Sequence, residues 1–155
     1  MKALTVCQPY AALIADGSKF VENRVWSPRK KPAEIAIHAG LSKKWLRTWN
    51  GTMPDRMTYG AIIAIANVDR IVHVGRMRSM RMEEGKTDAH IGRVLGIPED
   101  EVKRILGHEH AEGPWGYVLS NVRVLKKPVP CKGARQLWDV PIKQRMEIRR
   151  IMEGR

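Results

Sequence analysis

Residues 17–24 read Gly-Ser-Lys-Phe-Val-Glu-Asn-Arg, so Lys19, Glu22 and Arg24 follow closely on a turn glycine. If residues 20–26 form a strand, Phe20, Glu22, Arg24 and Trp26 point to one face, and Glu22 and Arg24 are neighbours there. Lys19 then stands at the strand's entrance. A carboxylate with two cations suits two kinds of chemistry. The cations can hold a phosphate and neutralise developing charge, and the carboxylate can take a proton beside it. The plainer alternative is a structural ion pair between Glu22 and Arg24.

The balance of charge favours a polyanionic partner. The 155-residue chain carries 28 Lys and Arg against 16 Asp and Glu, a formal net charge of +12, and its pI is about 10.2. Such a balance points to nucleic acid rather than to any particular fold. Basic residues recur along the chain: Arg24 to Arg56, Arg70 to Lys86, and Lys126 to Arg155. The acids cluster at Glu99, Asp100, Glu101, Glu109 and Glu112. Two distant cysteines, Cys7 and Cys131, support neither a disulfide framework nor a zinc site. With no signal peptide and no membrane-length apolar run, the expectation is a cytoplasmic protein with no membrane partner.

The elements that must position these residues are mostly short. Residues 3–7 read as a first strand. Gln8-Pro9 opens a helix with Tyr10, Leu13 and Ile14 on its apolar face, and Gly17 closes it. Residues 20–26, 33–39, 59–68 and 115–124 read as strands, with 71–74 a candidate extension past a bend. Residues 41–50 read as a helix with Trp45 and Trp49 at i, i+4. Residues 77–112 differ in composition and read as an inserted helical hairpin, with helices 87–95 and 99–106 split by Gly96-Ile97-Pro98. Residues 141–153 read as a C-terminal helix. Short strands with helices between them predict an α+β domain over residues 1–155, a small, partly open β-barrel with peripheral helices.

Several familiar chemistries are absent. Neither G-x-G-x-x-G nor the Walker pattern occurs, and there is no nucleophile elbow and no H-E-x-x-H. His90, His108 and His110 match no standard metal spacing, so no metal and no cofactor are expected. Residues 90–106 are similar to a DNA-binding helix-turn-helix, which keeps duplex DNA as an alternative partner. However, the end of the would-be recognition helix carries Glu99, Asp100 and Glu101, which a duplex repels. An ordinary αα-hairpin accounts for the same pattern. The tryptophans and tyrosines read mainly as core. Trp26, beside Arg24 and the basic loop Arg29-Lys30-Lys31, is the best candidate for stacking a base.

With these residues in view, the chain resembles the ASCH domain family, whose fold is similar to the PUA barrel. Gly17, Lys19, Glu22 and Arg24 match that family's G-x-K-x-x-E-x-R signature, and Gln8-Pro9-Tyr10 resembles its Q-P-[WY] helix start. Residues 37–39, 60–64, 113–119, 129–130 and 132–133 fit its later strands and closing segment. The resemblance covers about residues 1–76 and 113–140, with the hairpin and the C-terminal helix as additions. It implies an RNA- or nucleotide-related role, which for some members is metal-independent endoribonuclease activity. A small branch hydrolyses N4-acetylcytidine and carries threonine three residues after the motif lysine, where this chain has Glu22. The expectation is therefore binding of single-stranded RNA in a basic cleft, with cleavage, non-catalytic reading of modified bases and amide hydrolysis as its variants. Lys19, Glu22, Arg24 and Tyr10 are the candidate catalytic residues. Asn23, Trp26, Arg29, Lys30, Lys31, His38, Ser120 and Lys132 are the candidate RNA-binding residues.

Overall fold

A computed structural model describes residues 1–154; Arg155, the last residue of the third basic region, lies outside the described residues. The strands are β1 (Lys2–Val6), β2 (Val21–Arg24), β3 (Glu34–Ala39), β4 (Ala61–Val72), β5 (Trp115–Pro130) and β6 (Leu137–Asp139), and five helices accompany them. The helices are α1 (Tyr10–Ala15), α2 (Val74–Met82), α3 (Asp88–Leu95), α4 (Glu99–Leu106) and α5 (Ile142–Met152). The strands form one six-stranded sheet in the order β2-β5-β4-β3-β1-β6. β1 runs parallel to β3 and antiparallel to β6, while β2–β5 and β3–β4 are antiparallel. This mixed sheet with helices is the expected α+β class. Two compact units emerge, one from Met1–Phe20, Pro32–Val68 and the chain from Ser120 onward, the other from Val21–Lys31 and Asp69–Leu119.

The first unit is built on β3, whose Ile35, Ala36 and Ile37 are wholly buried. An unbroken apolar run of this kind suits a strand covered on both faces. Ala3, Ile62, Ile65, Leu125, Val129 and Val140 pack with Ile148 of α5 into one cluster. α5 contributes Ile148 alone to the buried core and leaves Ile142 and Met146 exposed. β5 runs on through Pro130, beyond the expected end at 124, and β6 is a further short strand.

Residues 41–50 do not form the expected helix. Only a 3₁₀ turn at Lys44–Arg47 is present, and it buries no residue. Leu41 is 75 % exposed, and without an apolar stripe against a core a short basic segment does not repay helix nucleation. Trp45 and Trp49 instead meet the Tyr10 ring edge-on, at 6.4 and 5.7 Å.

The second unit holds the hairpin, and it has one helix more than expected. β4 continues to Val72, and α2 then buries Val74, Met77 and Met80. Its basic residues hide this face from a composition-based reading, yet Arg78 donates to the carbonyl of Ala111 and Arg81 to Asp88. Thr87 Oγ1 accepts the His90 N–H to cap α3, and Gly96 ends it in the left-handed conformation at φ 67°. Ile91 of α3 and Val102, Ile105 and Leu106 of α4 are buried.

Candidate functional site

In the second unit the candidate chemistry stands on the β2–β5 ribbon. Glu22 pairs with Tyr117 and Arg24 with Trp115, so all four side chains share one face. β2 is shorter than the expected 20–26 because only Val21–Arg24 have partners on β5, and Val25 is 82 % exposed. Arg24 Nη2 lies 3.1 Å from Glu22 Oε1, with the carboxylate side chain 7 % exposed and the arginine 21 %. The pair is thus screened from water on the carboxylate side and partly exposed on the arginine side. Removing one member alone would leave a buried charge unmatched, typically at about 3–5 kcal/mol.

Tyr117, wholly buried, carries a hydroxyl without a hydrogen-bond partner. Burial pushes its pKa up to about 12, against the opposing pull of Arg24. The ring meets Trp26 edge-on at 5.7 Å. Gly116 keeps the opposite face close-packed: a Cβ there would stand 2.7 Å from Val74 Cγ2 and 2.9 Å from Val21 Cγ1.

The other candidates of this unit divide by role. Asn23 donates to the His110 carbonyl (2.6 Å) and accepts from the N–H groups of Glu112 and Gly113 (3.1 and 3.0 Å). Its side chain is therefore committed to holding the 110–113 loop. Trp26 is half-buried against Tyr117 rather than standing free. Arg29, Lys30 and Lys31 are exposed.

In the first unit, Lys19 is 2 % exposed, with its ammonium 5.7 Å from the centroid of the Tyr10 ring. Its backbone N–H donates to Leu13 (2.9 Å), which fixes the turn after α1. Burying an ammonium is costly, and the electron-rich face of Tyr10 offsets part of that cost. His38 is also buried; its Nε2 lies 2.8 Å from the carbonyl of Cys131. Its Nδ1 has no partner, and the absent side chain of Gly133 makes room for the ring, since a Cβ there would lie 2.7 Å from Nδ1. Burial lowers the His38 pKa, partly countered by the bond to Cys131. Ser120 is half-buried on β5 and Lys132 is exposed.

Two residues join the candidates only with the structure. Gln8, fully buried, donates to the Thr58 carbonyl (2.8 Å) and accepts from the Ala12 N–H (3.0 Å). Its signal in the sequence was the Gln-Pro-Tyr triplet. Tyr117 was visible only as one aromatic of the 115–124 strand. Among the described residues no group of three or more His, Cys, Asp or Glu is placed to hold a metal. No helix among them is long and apolar enough to cross a membrane.

Comparison with known proteins gives one consistent answer. The family model for the ASCH domain matches residues 4–124. The crystal structure of ASCH from Zymomonas mobilis superposes with a TM-score of 0.53 at 15 % identity, covering 95 % of this chain and 92 % of that one. Two single-substitution variants of the same Zymomonas mobilis protein each superpose with a TM-score of 0.51. Their identities to this chain are 15 and 13 %, over 95 % of it and 92 and 94 % of theirs.

Proposed function

The chain belongs to the ASCH domain family, with its α+β, PUA-like fold, and we propose that it binds single-stranded RNA or nucleotides through the Arg24 face of the β2–β5 ribbon. The observation that carries this reading is the asymmetry of the ion pair. Glu22 is nearly buried and holds a guanidinium whose side chain keeps about a fifth of its surface exposed. A guanidinium oriented from behind is preorganised for a phosphate oxygen, and little side-chain freedom is lost on binding. The basic loop 29–31 and the net charge of +12 supply longer-range attraction. Lys19, Tyr10, His38, Ser120 and Lys132 of the first unit are proposed contributors that single substitutions can sort.

Metal-independent cleavage is a second reading, and one feature favours it. A carboxylate 3.1 Å from a phosphate-holding arginine is suitably placed to accept a 2′-hydroxyl proton. Duplex DNA is the weaker partner for the α3–α4 hairpin. Its Lys103 pairs with Glu99 at 2.7 Å and its Glu101 with Arg70 at 3.1 Å, so charges there are already matched.

Labelled single-stranded RNA incubated without metal separates the readings. Binding alone predicts that wild type retains RNA and leaves it intact. Cleavage by wild type that Glu22→Gln loses while it stays folded and still retains RNA would support Glu22 as a general base. Acetate released from N4-acetylcytidine and lost in Lys19→Ala would instead establish amide hydrolysis. A wild-type chain that retains no RNA would refute the proposal.

A further inference from the structure

A second place for a ligand lies wholly within the first unit. A hollow of about 320 Å3 opens between α1, the loop 54–58 and the stretch 124–128 of β5. Its volume falls at the small end of ligand sites, the scale of one nucleotide. The floor is apolar: Ala12, Ile63 and Leu125 line it, each less than a tenth exposed. Pro54, Pro128 and the 58 %-exposed Val124 continue that surface upward.

The rim is charged and unmatched. Asp16, Asp55, Arg56 and Lys126 all border the hollow. Among the described residues none of the four has an ion-pair partner, although both signs are present. Asp16 spends one carboxylate oxygen on the Ser18 N–H (2.8 Å) and keeps the other. The loop is anchored at its Thr58 end, where Gln8 ties the Thr58 carbonyl to the first turn of α1.

We propose that this hollow binds a single nucleotide whose base carries an exocyclic amino group. A planar base suits the apolar floor, Arg56 and Lys126 suit the phosphate, and Asp16 and Asp55 accept from the amino group. Carboxylates accept from the cytosine N4 amino group in the same way when proteins read bases. Simpler ligands use less of the site. A divalent cation is repelled by Arg56 and Lys126, an aliphatic molecule leaves four charges unmatched, and free phosphate leaves the floor bare. The nucleotide, rather than another phosphorylated amine, is chosen on the RNA-binding reading above; the hollow itself is independent of it.

The test is equilibrium binding of CMP and UMP to the full chain. CMP should bind about tenfold or more tightly than UMP, because a site built to accept from an amino group rejects the analogue lacking it. Asp55→Asn and Asp16→Asn, both at exposed positions, should erase most of that preference. Lys126→Ala should weaken both ligands, and Ala15→Trp should block them. Equal binding of CMP and UMP, or a preference that survives both Asp substitutions, overturns the proposal. So does a wild-type chain that retains single-stranded RNA but binds neither mononucleotide, and RNA binding would then stand without the hollow. Discriminating CMP binding without RNA retention supports the hollow and removes the RNA reading alone.

Discussion

A carboxylate, two cations and a histidine become different kinds of residue once buried. Glu22 and Arg24 read in the sequence as neighbours on one strand face, either a catalytic pair or a structural ion pair, and the fold hides one more than the other. His38 read as an RNA contact, and the fold encloses it with Nε2 against a backbone carbonyl. That enclosure has a pH consequence. Its folded pKa lies below the ordinary 6.5, so protons bind the unfolded chain more readily. The His38 contribution is fully present above pH 6.5 and is lost as pH falls from there through the folded value. Thermal unfolding should therefore show a drop in stability between about pH 7.5 and 5.5 that is smaller in His38→Gln. Equal drops in the two proteins would exclude His38 as a source. The motif Gly17 to Arg24 was legible because its residue types and spacing are local. Tyr117 was not, because its place opposite Glu22 arises from β2–β5 pairing across more than ninety residues.

At the level of elements, the sequence was clearest where caps and periodicity agree. α3 and α4 lie within a residue of their expected bounds, with Thr87, Gly96 and Pro98 as the signals. α2 was hidden because its buried Val74, Met77 and Met80 are interleaved with arginines that pair locally. The 41–50 segment failed the other way: its tryptophan spacing is helical, but the rings pack on Tyr10 from a loop. The hairpin turn depends on Gly92, where a Cβ would collide with the carbonyl oxygen of Ile97. Gly92→Ala should destabilise the protein by about 1–3 kcal/mol, the usual cost of overpacking, despite alanine's better helix propensity. Chemical denaturation measures this, and unchanged stability would mean that the turn relaxes freely. If the hairpin is a packing element, the same substitution should lower RNA affinity only in proportion to unfolding.

For the whole molecule, composition spoke of a partner and said little of its place. A net charge of +12 implies attraction to any polyanion, and affinity for RNA should fall with salt. Each phosphate neutralised contributes a slope of about −0.7 in log K against log salt for a single strand. A specific phosphate contact on Arg24, oriented by Glu22, is a narrower proposal than this general attraction. Replacing both members at once, Glu22→Gln with Arg24→Gln, avoids stranding a buried charge. The most direct measurement is fluorescence anisotropy of a labelled single-stranded RNA with wild type and this double variant, after thermal unfolding has shown that both are folded. Wild type should bind, the double variant should bind about tenfold or more weakly, and its salt slope should be shallower by about 0.7. Equal affinity and slope in the two proteins, or no binding by wild type, would contradict the proposal.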